Sequence, residues 1–564
     1  MTPPDHIVII GGTACGPKAA ARARRCDPAA RITIIEQKGN LSTATCGLPY
    51  YVGGVIEKES TLVTRQNDYF EKVFDMKVLT GTRALSIDRK AGTVEVLDLA
   101  KDRRATIQYD KLVLATGSRP AVPDWEGRSL AGIFTMTGIP DASAIRGYLA
   151  GLQSKEVIIV GAGLIGIEMA EAFVTRGLHV TILEALDRVL PTLLDVDIAA
   201  HVESHLLSGG VRLRCGQRVT GFRGDSQGRV SRVLMEGGQE LAAGLVLLSL
   251  GVRPEVSLAR EAGLSIGPTG GIAVNEYLQT SDPAIYAGGD CVETANLITK
   301  RKGLAPMGST ANKHGRVIGS NVTGGRETCP GVLGTAIVKV FDLNVGRVGL
   351  NEAQAREACF DVVTSLVPGD EHATYYPGSR EIMVKLVAEK AGGRLLGGQV
   401  IGPGDSAKRI DVLATALTFG ATVNDLAGLD LCYAPPYNSA MDPLHNAANV
   451  IRNKQSGLAR SLTPQEVRKK LEAGDDFVLL DVRSPGEWQA RRIEAAQVKL
   501  LPLPELRQRI DELSRDAEIV IICRRSVRSY QAQRILDGAG FKNVKFMDGS
   551  LTAWPYPTAG KPTD

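Results

Sequence analysis

The chain alternates short apolar runs with longer, helix-patterned polar stretches. His6–Ile10 is a brief apolar run. It is followed by Gly11-Gly12-Thr13-Ala14-Cys15-Gly16, an alanine- and arginine-rich helical stretch from Pro17 to about Arg25, and a second run, Arg31–Glu36, that ends in an acid. This order predicts a βαβ unit. It returns at Val157–Val160, with Gly161-Ala162-Gly163-Leu164-Ile165-Gly166, a helix to about Arg176, and strand His179–Leu183 closed by Glu184. Further strands are predicted at Lys111–Ala115 and Leu245–Gly251. Beyond residue 326 come Gly334–Phe341, Phe360–Val367 and Ile382–Ala388, then a helix from about Ala407 to Gly420. Arg452–Arg460 is polar and glycine-bearing, and after it the pattern restarts. A helix is predicted over Thr463–Ala473, strands over Phe477–Asp481, Ile519–Ile522 and Asn543–Met547, and a helix over Ser529–Asp537.

Each glycine turn opens a helix whose N-terminus receives a pyrophosphate, and the acid about 20 residues on holds ribose hydroxyls. Thr13 stands at the second glycine position of the first turn. Two such sites imply two dinucleotides, one donating to the other. A carboxylate at Glu184 repels a 2′-phosphate, so NADH is favoured over NADPH, although Arg188 is close enough to soften the preference. Between the two units, Leu41–Tyr50 carries Cys46 with no second cysteine two or four residues away. A lone redox cysteine takes its oxidised form as a sulfenic acid, a persulfide or a mixed disulfide with a small thiol.

Composition narrows the setting. At 564 residues the chain exceeds one hydrophobic core. With 44% apolar and 23% charged residues it reads as an ordinary soluble protein, and a net charge of only +4 does not argue for nucleic acid, which is not expected as a partner, though it suits an anionic small substrate. Nine cysteines form no CxxC pair, which points to free thiols in a reducing, cytoplasmic compartment. No apolar run approaches ~20 residues, so no membrane span is expected, and a first strand beginning by His6 leaves no room for a signal peptide. His201 and His205 share a helix face, but Glu203 is out of place for HExxH and no third ligand is visible, so no metal is expected.

The order of motifs supplies a family. First fingerprint, Ala115-Thr116-Gly117, second fingerprint, Val252-Arg253-Pro254 and Gly288-Gly289-Asp290 together resemble the flavoprotein disulfide reductases with two dinucleotide-binding domains, the pyridine nucleotide-disulfide oxidoreductases, over roughly residues 5–450. The resemblance implies FAD at Gly12, Gly16, Glu36, Ala115, Thr116, Gly117 and Asp290, and NAD at Gly161, Gly163, Gly166 and Glu184. Cys291 is then a small buried residue near the flavin. Tyr433-Ala434-Pro435-Pro436 resembles the matching stretch of coenzyme A-disulfide reductases. This implies a homodimer in which Tyr433 of the partner subunit reaches Cys46. Tyr375, in preference to Tyr376, supplies a second hydroxyl, and Arg22 and Ser42 meet coenzyme A. The asparagine that commonly precedes the cysteine in that group is Thr45 here.

Residues 462–564 resemble a single rhodanese domain. Cys523 lies between a strand end and a helix start, where backbone N–H groups and the helix dipole lower a thiol pKa and hold a persulfide anion. Arg524, Arg525 and Arg528 add positive charge to this persulfide loop. Ser526 replaces the usual loop glycine, and Arg492-Ile493-Glu494-Ala495 replaces the customary His-Ile-Pro-Gly-Ala segment.

The expected fold is therefore α/β: two Rossmann-like dinucleotide-binding domains, an α+β dimerisation domain and a C-terminal rhodanese α/β domain. The expected boundaries are FAD-binding 1–150, NAD-binding 151–270, FAD-binding again 271–325, dimerisation 326–452, linker 453–461 and rhodanese 462–564. The expected activity is FAD-dependent, NADH-driven reduction of coenzyme A disulfide, coenzyme A persulfide or polysulfide through Cys46, with Cys523 handling sulfane sulfur. The alternatives are an NADH oxidase or peroxidase using a cysteine sulfenic acid, and a redox-sensing adaptor.

Overall fold

Continuous apolar strands buried on both faces are the mark of a parallel sheet, and the computed structural model, which describes residues 5–560, builds three of them. The chain divides into two compact units. The first, to Leu186 and again over Gly210–Val332, holds two of these parallel sheets beside smaller antiparallel ones. One runs in the order Ile285–Ala287, Lys111–Leu114, His6–Ile10, Arg31–Ile35, Lys77–Leu79, and all its pairs are parallel. The other runs Arg212–Arg214, His179–Leu183, Glu156–Val160, Leu245–Leu248, Ile133–Phe134, again all parallel. Helix Cys15–Cys26 packs on helix Gly308–Asn321 closely enough that a Cβ on Gly319 would stand 2.5 Å from the Ala19 carbonyl oxygen.

The second unit comprises Asp187–Gly209 and the chain from Leu333. Its first sheet is antiparallel, in the order Ala336–Val340, Leu343–Gly349, Leu395–Gly402, Glu381–Glu389, Val362–Asp370. Its second is the third parallel sheet, Ser461–Leu462, Val544–Met547, Ile519–Ile522, Val478–Asp481, Val498–Leu500, with Trp554 and the apolar strand residues in its core. Thr463 caps helix Pro464–Ala473 by accepting from the Glu466 N–H, and Glu466 reaches back to Thr463.

Two expected boundaries differ. The segment expected to be a linker, 453–461, begins inside helix Pro443–Gln455, so only residues 456–460 connect the two sheets. Residues 187–209, expected within the NAD-binding domain, belong to the second unit. The reason is a buried charge. Lys385, 3% exposed, places its Nζ 2.8 Å from Asp197, 3.2 Å from Asp195 and 3.2 Å from Glu352. Three acids around one ammonium hold its pKa far above normal despite burial. Lys385→Met leaves Asp195 and Asp197 without their cation, while Glu352 keeps Arg356. It is expected to cost about 3–5 kcal/mol in denaturant unfolding of the full chain, followed by tryptophan fluorescence; a loss below about 1 kcal/mol would show that the cluster does not anchor this segment.

Candidate active site

The two glycine turns are built alike. Gly11 (φ +111°) and Gly161 (φ +105°) take left-handed backbone, and a Cβ on either would lie within 2.3 Å of the carbonyl oxygen of Ala115 or Ser249. The following N–H groups, of Gly12 and Ala162, donate to Glu36 Oε2 at 2.6 Å and Glu184 Oε2 at 2.8 Å. Each acid takes a second backbone N–H through its other oxygen, from Lys38 and from Leu186. The acids thus lock the turns. Arg188 is not a free cation, because it pairs with Asp187 at 2.7 Å.

Asp290 accepts from the Ser118 hydroxyl at 3.0 Å, and burial pushes its pKa up. The Thr116 hydroxyl donates to the Glu255 carbonyl at 2.6 Å. Cys291 is fully buried, its thiol directed at the Gly288 carbonyl. His314, 1% exposed, accepts the Gly289 N–H at Nδ1, and burial lowers its pKa to about 4. The ring is neutral, so the proton sits on Nε2, which has no partner among the described residues. The sequence offered no motif for this histidine.

Cys46 lies on the single turn Thr45–Gly47, just ahead of helix Leu48–Gly53. It is exposed, yet its pKa is raised, first by the partial burial of its surroundings and then by the carboxylates of Glu168 and Asp290. Glu168 sits on helix Leu164–Thr175 and accepts from Tyr50 Oη at 3.4 Å. Burial raises its pKa to about 6. That helix comes close because Gly53 has no side chain: a Cβ there would touch Ala172 at 3.3 Å. The sequence reading passed over Glu168 and Tyr50. An acid four residues into the second fingerprint helix, and a tyrosine one turn past Cys46, were the available signals.

Two residues expected at coenzyme A are committed within the protein. Arg22 donates to Ser320 Oγ at 2.8 Å and pairs with Glu327 at 3.1 Å, so it is a half-buried ion pair and not a free cation. The Ser42 hydroxyl bonds Thr64 Oγ1 at 2.8 Å from a left-handed residue (φ +53°).

In the second unit, Tyr375 and Tyr433 share a hydrogen bond of 2.9 Å between their hydroxyls, both exposed. Tyr376 instead packs edge-on against His372. The hydrogen bond to Tyr433 is the main cause of a raised Tyr375 pKa. Buried Arg409 joins the two segments, donating to the Glu371 carbonyl at 2.6 Å and Asn438 Oδ1 at 3.1 Å and pairing with Asp442. Cys523, 1% exposed, ends strand Ile519–Ile522 and lies among hydroxyls, with Ser529 Oγ 3.2 Å and Ser550 Oγ 3.7 Å from its sulfur. Ser526 adopts φ +75°, which explains why glycine is usual there; its hydroxyl donates to the Met547 carbonyl.

The three arginines expected to charge this loop divide. Arg528 is paired with Glu487, whose pKa it drives to about 2. Arg525 is paired with Asp370 and Glu381. Only Arg524 is exposed without an ion pair among the described residues. No metal-binding cluster of histidine, cysteine and acidic residues occurs among the described residues; His201 bonds the Ala553 carbonyl and His205 pairs with Asp342.

A family model described as pyridine nucleotide-disulphide oxidoreductase matches residues 5–312. The chain belongs to that family. The family's dimerisation domain matches 335–445, and a rhodanese-like domain matches 463–555. The chain is 39% identical over 448 residues to the NAD(P)H sulfur oxidoreductase (CoA-dependent) of Pyrococcus furiosus, covering 79% of this chain and 99% of that one. It is 44% identical to a NAD-dependent persulfide reductase from A. fulgidus, with a TM-score of 0.92 over 97% of this chain and 100% of that one. The reduced Bacillus anthracis CoADR-RHD matches at 34% identity and a TM-score of 0.92, covering 98% of each chain. The family's cofactors are FAD and a nicotinamide nucleotide. The residues fit them: a Cβ at Gly163 of the second turn would meet open space, and the buried His314 donor, without an acceptor among the described residues, stands beside the Gly288–Asp290 turn.

Glu168 is predicted to set the ionisation of Cys46. In Glu168→Gln the negative charge is gone and the thiolate is easier to form. The pH midpoint for iodoacetamide alkylation of Cys46 in the reduced holoprotein should then fall, with the part due to burial remaining. An unchanged midpoint would separate the two groups.

Proposed function

We propose that this protein is an NADH-driven flavoprotein reductase of sulfur–sulfur bonds in coenzyme A disulfide, coenzyme A persulfide or polysulfide. The observation that carries the reading is the presence, in one chain, of a lone cysteine beside paired dinucleotide turns and a second cysteine in a hydroxyl-lined rhodanese loop. A disulfide reductase alone needs no second thiol domain; joining one to a persulfide carrier makes sulfane sulfur the substrate chemistry.

The turns at Gly12–Gly16 and Gly161–Gly166 would hold FAD and NADH, which when bound would supply the two electrons needed at the Cys46 sulfur. The Cys46 thiolate attacks the sulfur–sulfur bond and holds one half as a mixed disulfide or persulfide. The partner subunit's Tyr433 protonates the leaving thiolate, with Tyr375 supporting its hydroxyl. For a persulfide, RSSH, NADH and a proton yield RSH, hydrogen sulfide and NAD⁺. Cys523 loads sulfane sulfur, and the pantetheine arm carries it between the cysteines. Glu184 favours NADH over NADPH. Tyr375, Tyr433, Tyr437 and Met441 are exposed around the segment matched by the dimerisation model, which supports a homodimer. Nine free cysteines suit a reducing cytoplasm, and no described helix is long and apolar enough to cross a membrane.

The test is anaerobic reduction of the bound flavin by NADH, followed by reoxidation. Coenzyme A persulfide or polysulfide should restore its absorbance and release sulfide. Cys46→Ser should abolish thiol-dependent turnover. Cys523→Ser should spare coenzyme A disulfide reduction and slow polysulfide turnover. Reoxidation by peroxide or oxygen alone would overturn the reading.

A further inference from the structure

The loop that carries Cys523 grips the neighbouring sheet. Arg525, two residues past the cysteine, donates from Nη1 to Asp370 Oδ2 at 2.6 Å and from Nη2 to Asp370 Oδ1 at 2.9 Å, while Nη2 also lies 2.5 Å from Glu381 Oε1. Asp370 is the last residue of strand Val362–Asp370 and Glu381 the first of Glu381–Glu389, and the two stand directly opposite each other in the ladder. Like charges in that arrangement repel. A hairpin built for its own stability would not place two acids at its root; the pair makes sense as a receptor for a forked cation.

That root holds the hairpin loop 371–380, which carries Tyr375. The loop is itself stiff. Glu371 accepts from the Arg380 and Asp405 backbone N–H groups, and Arg409 ties its carbonyl to the segment that presents Tyr433. A second bond fixes the same docking face, from Lys454 to Asp548 at 2.6 Å, but only Arg525 comes from the cysteine loop. The guanidinium therefore links the sulfur-bearing loop to the root of the tyrosine hairpin through contacts that are each rigid.

We propose that Arg525 is a positioning residue for sulfur transfer, holding the Cys523 loop in register with the Tyr375–Tyr433 hydroxyl pair through Asp370 and Glu381. The step it serves is an exchange without net oxidation. A coenzyme A thiolate attacks the outer sulfur of the Cys523 persulfide, a sulfur–sulfur bond to coenzyme A forms, the bond to Cys523 breaks, and Cys523 leaves as thiolate. The inference rests on the sulfane-sulfur reading above.

The test uses the full-length holoprotein and Asp370→Asn combined with Glu381→Gln, which removes the receptor charges and their mutual repulsion together. Three rates are compared. These are thiosulfate-to-cyanide sulfur transfer at Cys523, NADH-dependent reduction of coenzyme A disulfide at Cys46, and NADH oxidation with polysulfide and coenzyme A, which needs both. The first two should stay within about twofold of the parent while the third falls about tenfold or more. Arg525→Lys, which keeps the charge and loses the fork, should give an intermediate rate for the third. Hydrogen exchange should rise in both 523–528 and 371–380. A combined rate within about twofold of the parent, or a parallel fall in all three, would overturn the assignment. A parent protein that reduces coenzyme A disulfide but gains nothing from polysulfide would instead sink the sulfane-sulfur reading itself.

Discussion

Arg409 is almost wholly out of water, and its donors are met by four residues from three stretches of chain: Glu371, Asp405, and Asn438 with Asp442. A buried charge is tolerated only when paired and hydrogen-bonded, so none of those stretches is free to drift from the others. The same rule governs Lys385 among its three acids and Lys454 against Asp548. In the second unit, segments far apart in sequence are joined by cations that have nowhere else to go. The meeting of Tyr375 and Tyr433 is one product of this constraint, since both hydroxyls are exposed and neither is held by an apolar pocket of its own.

The first unit is organised differently, by backbone. Its two halves repeat one device, a carboxylate that accepts the N–H inside a glycine turn and another two residues past itself. The device fixes each turn at the head of its helix through the side chain of the strand's closing acid. Against this scaffold Cys46 is placed among groups that oppose its ionisation. Burial and the carboxylates of Glu168 and Asp290 keep negative charge on this sulfur unfavourable.

Much of this was legible in the sequence, because fingerprints, apolar strands and the two cysteine loops are local patterns. The inner strands of the three parallel sheets were placed to within a few residues, whereas the edge strands Lys77–Leu79, Ile133–Phe134, Arg212–Arg214, Ser461–Leu462 and Val498–Leu500 were not foreseen; the glycine turns, Cys46 and Cys523 stand where their flanking elements put them. Illegible were the partners that close over distance. Nothing near Arg22 announces Glu327, and nothing near Arg525 announces Asp370, 155 residues earlier. Lys385 shows the same limit at the level of domains, since its acids pull residues 187–209 into a unit that sequence order does not suggest. Glu168 was passed over because its helix was read only for its glycines. The short linker was overestimated because Arg452, Asn453 and Lys454 look like solvent-facing loop residues, although they continue a helix whose other face is buried.

That short connection has a mechanical meaning. Five residues, 456–460, separate the end of helix Pro443–Gln455 from strand Ser461–Leu462. Fully extended they reach roughly 17 Å, and a tether so short keeps a docked domain at a very high effective concentration against its own docking face. The rhodanese sheet is thus leashed and cannot act as a swinging arm. On the proposed reading, carriage of sulfur over longer distances would then fall to the substrate's own flexible chain, with the protein as a fixed quay at which it is loaded.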